Sequence, residues 1–125
     1  MTEKEMFIEK MKKRTKKFAV DIILFCDTLK TCKASGVITY QIVKSATSTA
    51  ANYRAACRAR SKKEFFSKIC IVVEEVDETE FWLEIIDDAN LTKEDQELKR
   101  LLAEVLELIK IMSKAKSSSY NSINH

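Results

Sequence analysis

The stretch from Ser61 to Asp88, SKKEFFSKICIVVEEVDETEFWLEIIDD, limits what this chain can fold into more than any other. Its apolar residues Phe65, Ile69, Val72, Val76, Leu83 and Ile86 recur at alternating steps of four and three, with Thr79 filling the one gap. That spacing is the seam of a long helix packed in a bundle. It does not suit a strand, whose side chains repeat every second residue. Ser61 followed by Glu64 reads as a capping box, in which the hydroxyl and the carboxylate each satisfy a backbone N–H that the first turn leaves unpaired. The opposite face of the same helix is crowded with acid.

The rest of the chain uses the same vocabulary. There is no proline, and Gly36 is the only glycine. This excludes sheets built on tight hairpins and predicts an all-α protein. A length of 125 residues suits one domain and buries roughly two thirds of the unfolded surface, so neither metal nor crosslink is required for stability. The four cysteines, Cys26, Cys32, Cys57 and Cys70, include no C-x-x-C spacing and read as reduced, partly buried thiols. The first residues are charged, and no apolar run approaches the roughly 20 residues that span a bilayer, so the expectation is a soluble cytoplasmic protein without a membrane partner.

Four helical segments follow from periodicity. The first runs from about Lys4 to Cys32 on a seam of Ile8, Met11, Thr15, Phe18, Ile22, Phe25 and Leu29, which amounts to about 43 Å of helix. Lys33-Ala-Ser-Gly36 breaks it, with Gly36 placed to adopt a left-handed conformation. The second, from about Ile38 to Ala59, carries Ser45, Ala46, Ser48, Thr49, Ala50, Ala51, Ala55 and Ala56, small groups that let helix backbones approach closely. Within it, Asn52 and Tyr53 are polar groups suited to fixing helix register by hydrogen bonds. A very short turn leads to the third helix at Ser61, and Thr92 with Asp95 caps a fourth. That fourth helix uses Leu98, Leu101, Val105, Leu108 and Met112, widened by Leu102 and Ile109, and fades near Lys116. The expected architecture is an up-down-up-down antiparallel four-helix bundle over residues 1–116, with a polar, disordered tail over 117–125. Extra apolar width, as in Cys70 and Val73 beside Ile69 or Phe81 and Trp82 beside Leu83, predicts a homo-oligomer.

Net charge is only +3, but its distribution is uneven. From Lys30 to Lys68 nine basic residues face the single acid Glu64, and from Glu74 to Glu97 eleven acids face the single base Lys93. Two basic groups stand out as candidates for holding phosphate: Lys10, Lys13, Arg14 and Lys17 on one face of the first helix, and Arg54, Arg58, Arg60, Lys62 and Lys63 around the junction of the second and third. Catalysis finds little footing. Di-iron bundles need Glu-x-x-His pairs, and the only histidine is His125. Glu74 with Glu78, and Glu80 with Glu84, read as an exposed acidic face meeting Lys or Arg. There is no glycine-rich phosphate loop and no histidine to activate a serine or cysteine, so no enzyme, metal or cofactor is expected.

Between Ser45 and Glu84 three motifs carry a resemblance. They are S-A-x-S-x-x-A-N at Ser45, Ala46, Ser48, Ala51 and Asn52; R-x-x-S-K-x-E-F at Arg58, Ser61, Lys62, Glu64 and Phe65; and E-x-D-E-T-x-x-W-L at Glu75, Asp77, Glu78, Thr79, Trp82 and Leu83. In these the chain resembles the four-helix-bundle proteins encoded by intervening sequences in bacterial 23S ribosomal RNA genes, over roughly residues 5 to 115. Where many of those proteins have an A-E-G type run, this chain has Tyr53, Arg54, Ala55 and Ala56, which suggests a subgroup. The resemblance implies a homopentamer. Related bundles are accessory subunits of diversity-generating retroelements, and their barrel-like pentamers bind a reverse transcriptase and nucleic acid. Two readings stay open: a bundle that binds RNA or a nucleic-acid-handling partner such as a reverse transcriptase through its basic groups, or an interaction module whose charges serve only subunit assembly.

Overall fold

A computed structural model describes residues 1–124 as four helices: α1 (Glu3–Cys26), α2 (Lys33–Ala56), α3 (Lys62–Asp88) and α4 (Asp95–Asn124). Each packs against its sequence neighbours, and α1 closes the ring against α4, the most sparsely packed of the four pairs. This is the up-down-up-down bundle. The seams fill its core as their spacing requires: Met11, Phe18, Ile22 and Phe25 of α1, Ile69, Val72, Val76, Leu83 and Ile86 of α3, and Leu98, Leu101, Val105, Leu108 and Met112 of α4 are all buried. Ile8, Leu29 and Phe65, at the ends of their seams, are only half-buried.

Helix α3 starts where the capping box places it. The Ser61 hydroxyl accepts from the Glu64 backbone N–H at 3.1 Å, while the Glu64 carboxylate reaches one residue further back than the motif requires, to the Arg60 N–H at 3.2 Å. The two polar seam positions are spanned by hydrogen bonds. Thr15 donates to the Met11 carbonyl at 2.9 Å. Thr79 reaches across to α2, its hydroxyl 2.8 Å from that of Ser45, and so makes the register-fixing contact expected of Asn52. Asn52 instead donates to the Ser48 carbonyl and hydroxyl one turn back on its own helix, both at 2.9 Å. Its amide finds partners locally because Ser48 lies four residues away on the same face.

Four boundaries differ from expectation. Helix α1 ends at Cys26 rather than Cys32, because the loop after it has a long-range partner: Leu29 pairs with Thr92 in an antiparallel bridge. There the Lys30 N–H donates to the Leu91 carbonyl at 2.7 Å, and the Thr28 and Thr92 hydroxyls meet at 2.9 Å. Gly36 breaks nothing. It lies in the first turns of α2 with φ outside the left-handed region, and the one positive φ among the described non-glycine residues is Asn90, at 56°. Helix α2 ends at Ala56, so the turn to α3 spans Cys57 to Ser61. Finally, the tail over 117–124 is not disordered but continues α4 to Asn124, where Ser119 is buried. No proline or glycine interrupts it, and the helix already formed propagates at little further cost. His125 lies outside the described residues.

Candidate nucleic-acid interface

Antiparallel packing decides which charges meet. The α2–α3 turn sits at the same end of the bundle as the start of α1 and the finish of α4, so Arg58, Arg60, Lys62 and Lys63 join Lys10 and Lys13 of α1 and Lys114 and Lys116 of α4 there. The acidic second half of α3 and the acidic start of α4 occupy the other end.

At the basic end an open groove of about 510 Å³ runs between α1 and α2. Its floor is apolar and shallow, with Ala50 and Ala51 of α2 facing Ala19, Val20 and Ile23 of α1. The small-residue run of α2 makes this hollow, since methyl groups leave unfilled the space that larger side chains would occupy. Lys12, Lys13 and Lys16 line it from α1, Arg54 from α2 and Arg58 from the turn that follows, with Glu9 as the one acid. Lys12 pairs with Glu9 at 3.0 Å. Among the described residues, Lys13, Lys16, Arg54 and Arg58 make no ion pair.

The nine basic residues singled out in the sequence therefore separate into groups. Lys13, Arg54 and Arg58 come together at the groove, and Arg60, Lys62 and Lys63 are exposed around the turn beside it. Lys10 is exposed and lines neither. Arg14 and Lys17 are drawn the other way. Arg14 forms a two-pronged pair with Glu104 of α4, Nε to Oε2 at 2.8 Å and Nη2 to Oε1 at 2.7 Å, and this bond to Glu104 holds its pKa above the usual arginine value. Lys17 binds Asp21 at 2.8 Å, and Arg100 of α4 binds the same oxygen at 3.0 Å while also gripping Glu97. Partial burial pulls the Asp21 carboxyl up, but the hydrogen bonds from Lys17 and Arg100 outweigh it and the net shift is downward. Periodicity groups Arg14 and Lys17 with Lys13 because they are neighbours on one face, yet that face is shared between α2 and α4. The same reasoning missed Lys12 and Lys16. Their signal is the placement of Lys16 three, four and seven residues, and Lys12 seven, eight and eleven residues, before Ala19, Val20 and Ile23, apolar positions outside the seam.

The acidic face of α3 makes no salt bridge among the described residues, and Lys44 of α2 acts on Glu75 only as a minor electrostatic influence. Glu74, Glu78, Glu80 and Glu84 make no ion pair among the described residues. Burial first, then Glu78, raises the Glu75 carboxyl, and burial first, then Glu84 and Asp77, raises that of Glu80. Among the motif residues, Thr79 meets Ser45 across the α2/α3 contact, while Asn52 with Ser48 in α2 and the Trp82 indole donating to Glu78 at 3.2 Å in α3 bond within their own helices. All four cysteines are unpaired; Cys26, Cys57 and Cys70 are half-buried as expected, but Cys32 is exposed at the start of α2. Among the described residues no three His, Cys, Asp or Glu side chains converge to hold a metal, and no helix is long and apolar enough to cross a membrane.

Fold and surface define a charge-polarised antiparallel four-helix bundle with an open basic groove. A sequence model of the family described as 23S rRNA-intervening sequence protein matches residues 9–114, and the chain belongs to that family. Its fold is similar to a crystal structure of a protein of unknown function from the S23 ribosomal protein family of Bacteroides thetaiotaomicron, with 30% sequence identity, a TM-score of 0.73, and coverage of 84% of this chain and 96% of that one. Comparison with curated proteins gives no match. Neither similarity indicates an enzymatic family.

Proposed function

We propose that this protein is a non-enzymatic, self-associating bundle that holds the phosphate backbone of RNA or another nucleic acid in the α1/α2 groove and on the adjoining α2–α3 turn. The observation that carries this reading is the convergence of Lys13, Lys16, Arg54 and Arg58 on one groove without acidic partners among the described residues. Basic groups left free of internal pairing are the ones that release counterions from a nucleic acid on binding. A nucleic-acid-handling enzyme such as a reverse transcriptase would be a compatible partner. Exposed apolar residues outside the groove, Leu24 on α1, Val37 and Tyr40 on α2, and Ile71 and Phe81 on α3, support self-association, and a homopentamer would set five copies of the groove around one axis and multiply the local field. Filter binding of a mixed RNA pool across a salt series tests the proposal: affinity that falls steeply with salt is expected, and no association at low salt refutes it.

The second reading, charges that serve only assembly, rests on the acids of α3, which make no ion pair among the described residues and would find bases in a neighbour's groove. Light scattering on a Lys13→Glu, Arg54→Glu, Arg58→Glu variant separates the two. Loss of the oligomer supports assembly, and an intact oligomer with lost RNA binding supports the first.

A further inference from the structure

At the same basic end, on the opposite side of the bundle, α3 and α4 line a second, open hollow of about 420 Å³, within the size range of small-ligand sites. Tyr120 of α4 is 55% exposed and leans on Phe66 of α3, with ring centroids 5.8 Å apart and planes inclined at 47°. Ser113, Lys116, Ser117, Tyr120 and Asn121 line the α4 side, at successive offsets that place them on one helix face. Among the described residues the side chains of Lys116, Ser117 and Asn121 have no hydrogen-bond or ion-pair partner. Lys62 and Lys63 stand four and three residues before Phe66, so they share its face and continue the charge of Arg58 and Arg60 across the turn toward this hollow.

We infer that this hollow takes one unpaired base of a single-stranded nucleic acid, stacked on Tyr120, while Lys116, Lys62 and Lys63 hold the flanking phosphates. The inference rests on the proposed function and narrows its ligand from nucleic acid in general to a single strand. Every base has a π-face, so an exposed ring beside a basic track supplies affinity without requiring a sequence. The Asn121 amide and Ser117 hydroxyl offer donors and acceptors to a base edge. A duplex keeps its bases stacked on one another and presents none to Tyr120. Tyr120 and Asn121 lie beyond residue 114, where the family match ends.

Fluorescence anisotropy with a labelled oligoadenylate and a labelled duplex of equal length, at one fixed salt, tests this with wild type, Tyr120→Ala and Tyr120→Trp. Tyr120→Ala is expected to weaken the single strand by about tenfold, the scale of one lost stack, and the duplex by less than about twofold, while Tyr120→Trp restores single-strand binding. Matching thermal melts by circular dichroism confirm that the exposed Tyr120 is not needed for folding. Equal losses on both probes, no loss on either, or failure of Tyr120→Trp to restore binding overturns the inference. So does Tyr120-dependent binding of a polyglutamate peptide in place of the oligonucleotide. If wild type binds neither probe at low salt, the broader nucleic-acid reading falls as well. If wild-type binding is lost on reversing Lys13, Arg54 and Arg58 but is untouched by Tyr120→Ala, only the stack is refuted.

Discussion

Two sides of α1 carry lysines and arginines drawn from one continuous basic sequence, and the bundle treats them oppositely. On the side toward α4, Arg14 is clasped by Glu104, and Lys17 and Arg100 converge on Asp21. Arg14 and Arg100 thereby bridge the most sparsely packed pair of helices, while Lys17 is neutralised by Asp21 of its own helix. On the side toward α2, Lys13 and Lys16 face Arg54 and Arg58 over a floor of alanines, with no acid offered by α2. Like charges gathered without compensation oppose folding weakly but favour an anionic ligand. The difference teaches that basic residues adjacent on a helix surface become structural or available according to which neighbouring helix supplies carboxylates.

Experiments that attack this contrast can be ordered by expected effect. Reversing Lys13, Arg54 and Arg58 to Glu should lower RNA affinity by on the order of 100-fold or more at low salt and reduce the salt slope by about one per lost phosphate contact, with little change in melting temperature. Unchanged binding would make the groove no different from the α4 side. Removing Arg14 or Glu104 should do the converse. Arg14→Ala is expected to cost about 1 kcal/mol in urea unfolding, and a double-mutant cycle with Glu104→Ala should return a coupling of similar size, since the pair is two-pronged and largely covered. RNA affinity should hold; a tenfold loss would move Arg14 back into the binding surface.

Acidity distinguishes the α1/α4 seam from α3. The folded-state pKa of Asp21 lies below its ordinary value, so its contribution is present above the unfolded carboxylate range near pH 4 and fades as pH falls through the folded value. Glu75 and Glu80 are raised, so protonating them as pH drops from neutral through their elevated values stabilises the fold. Accordingly, the stability gap between wild type and Asp21→Asn should narrow below about pH 4, while the gain from Glu80→Gln at pH 7 should shrink as pH is lowered. Chemical denaturation at stepped pH reads both. Gly36→Ala belongs to neither region and sets a baseline. With helical φ and open space around the added methyl, it should raise stability by about 0.5 kcal/mol and leave RNA binding alone.

Much of the bundle was legible in the residues, because burial along a helix follows from local spacing. Thr79 could be assigned to the core from its place between Val76 and Leu83 alone, and it is fully buried. Ser61 marked the start of α3 because a capping hydroxyl acts on a backbone N–H three residues away. The end of α1 was not legible, since its loop is stopped by Leu91 and Thr92, some sixty residues further on. Gly36 misled because freedom to adopt positive φ does not oblige a glycine to use it. The polar tail misled because serine-rich composition says little once a preceding helix has paid the cost of nucleation.

The candidate site divides in the same way. That Arg54, Arg58, Lys62 and Lys63 surround one junction is a fact of sequence distance, and so is the segregation of base from acid along the chain. Whether a given cation is neutralised is a fact of space. Sequence by itself determined the four amphipathic helices, the core seams and the family, because each depends on periodicity, capping or motif within a few turns. Tertiary structure alone decided that Lys12 and Lys16 join the groove while Arg14 and Lys17 leave it, and that Tyr120 meets Phe66. Those outcomes depend on which helix lies across each face, because a salt bridge or a ring contact forms only where its partner comes within a few ångströms.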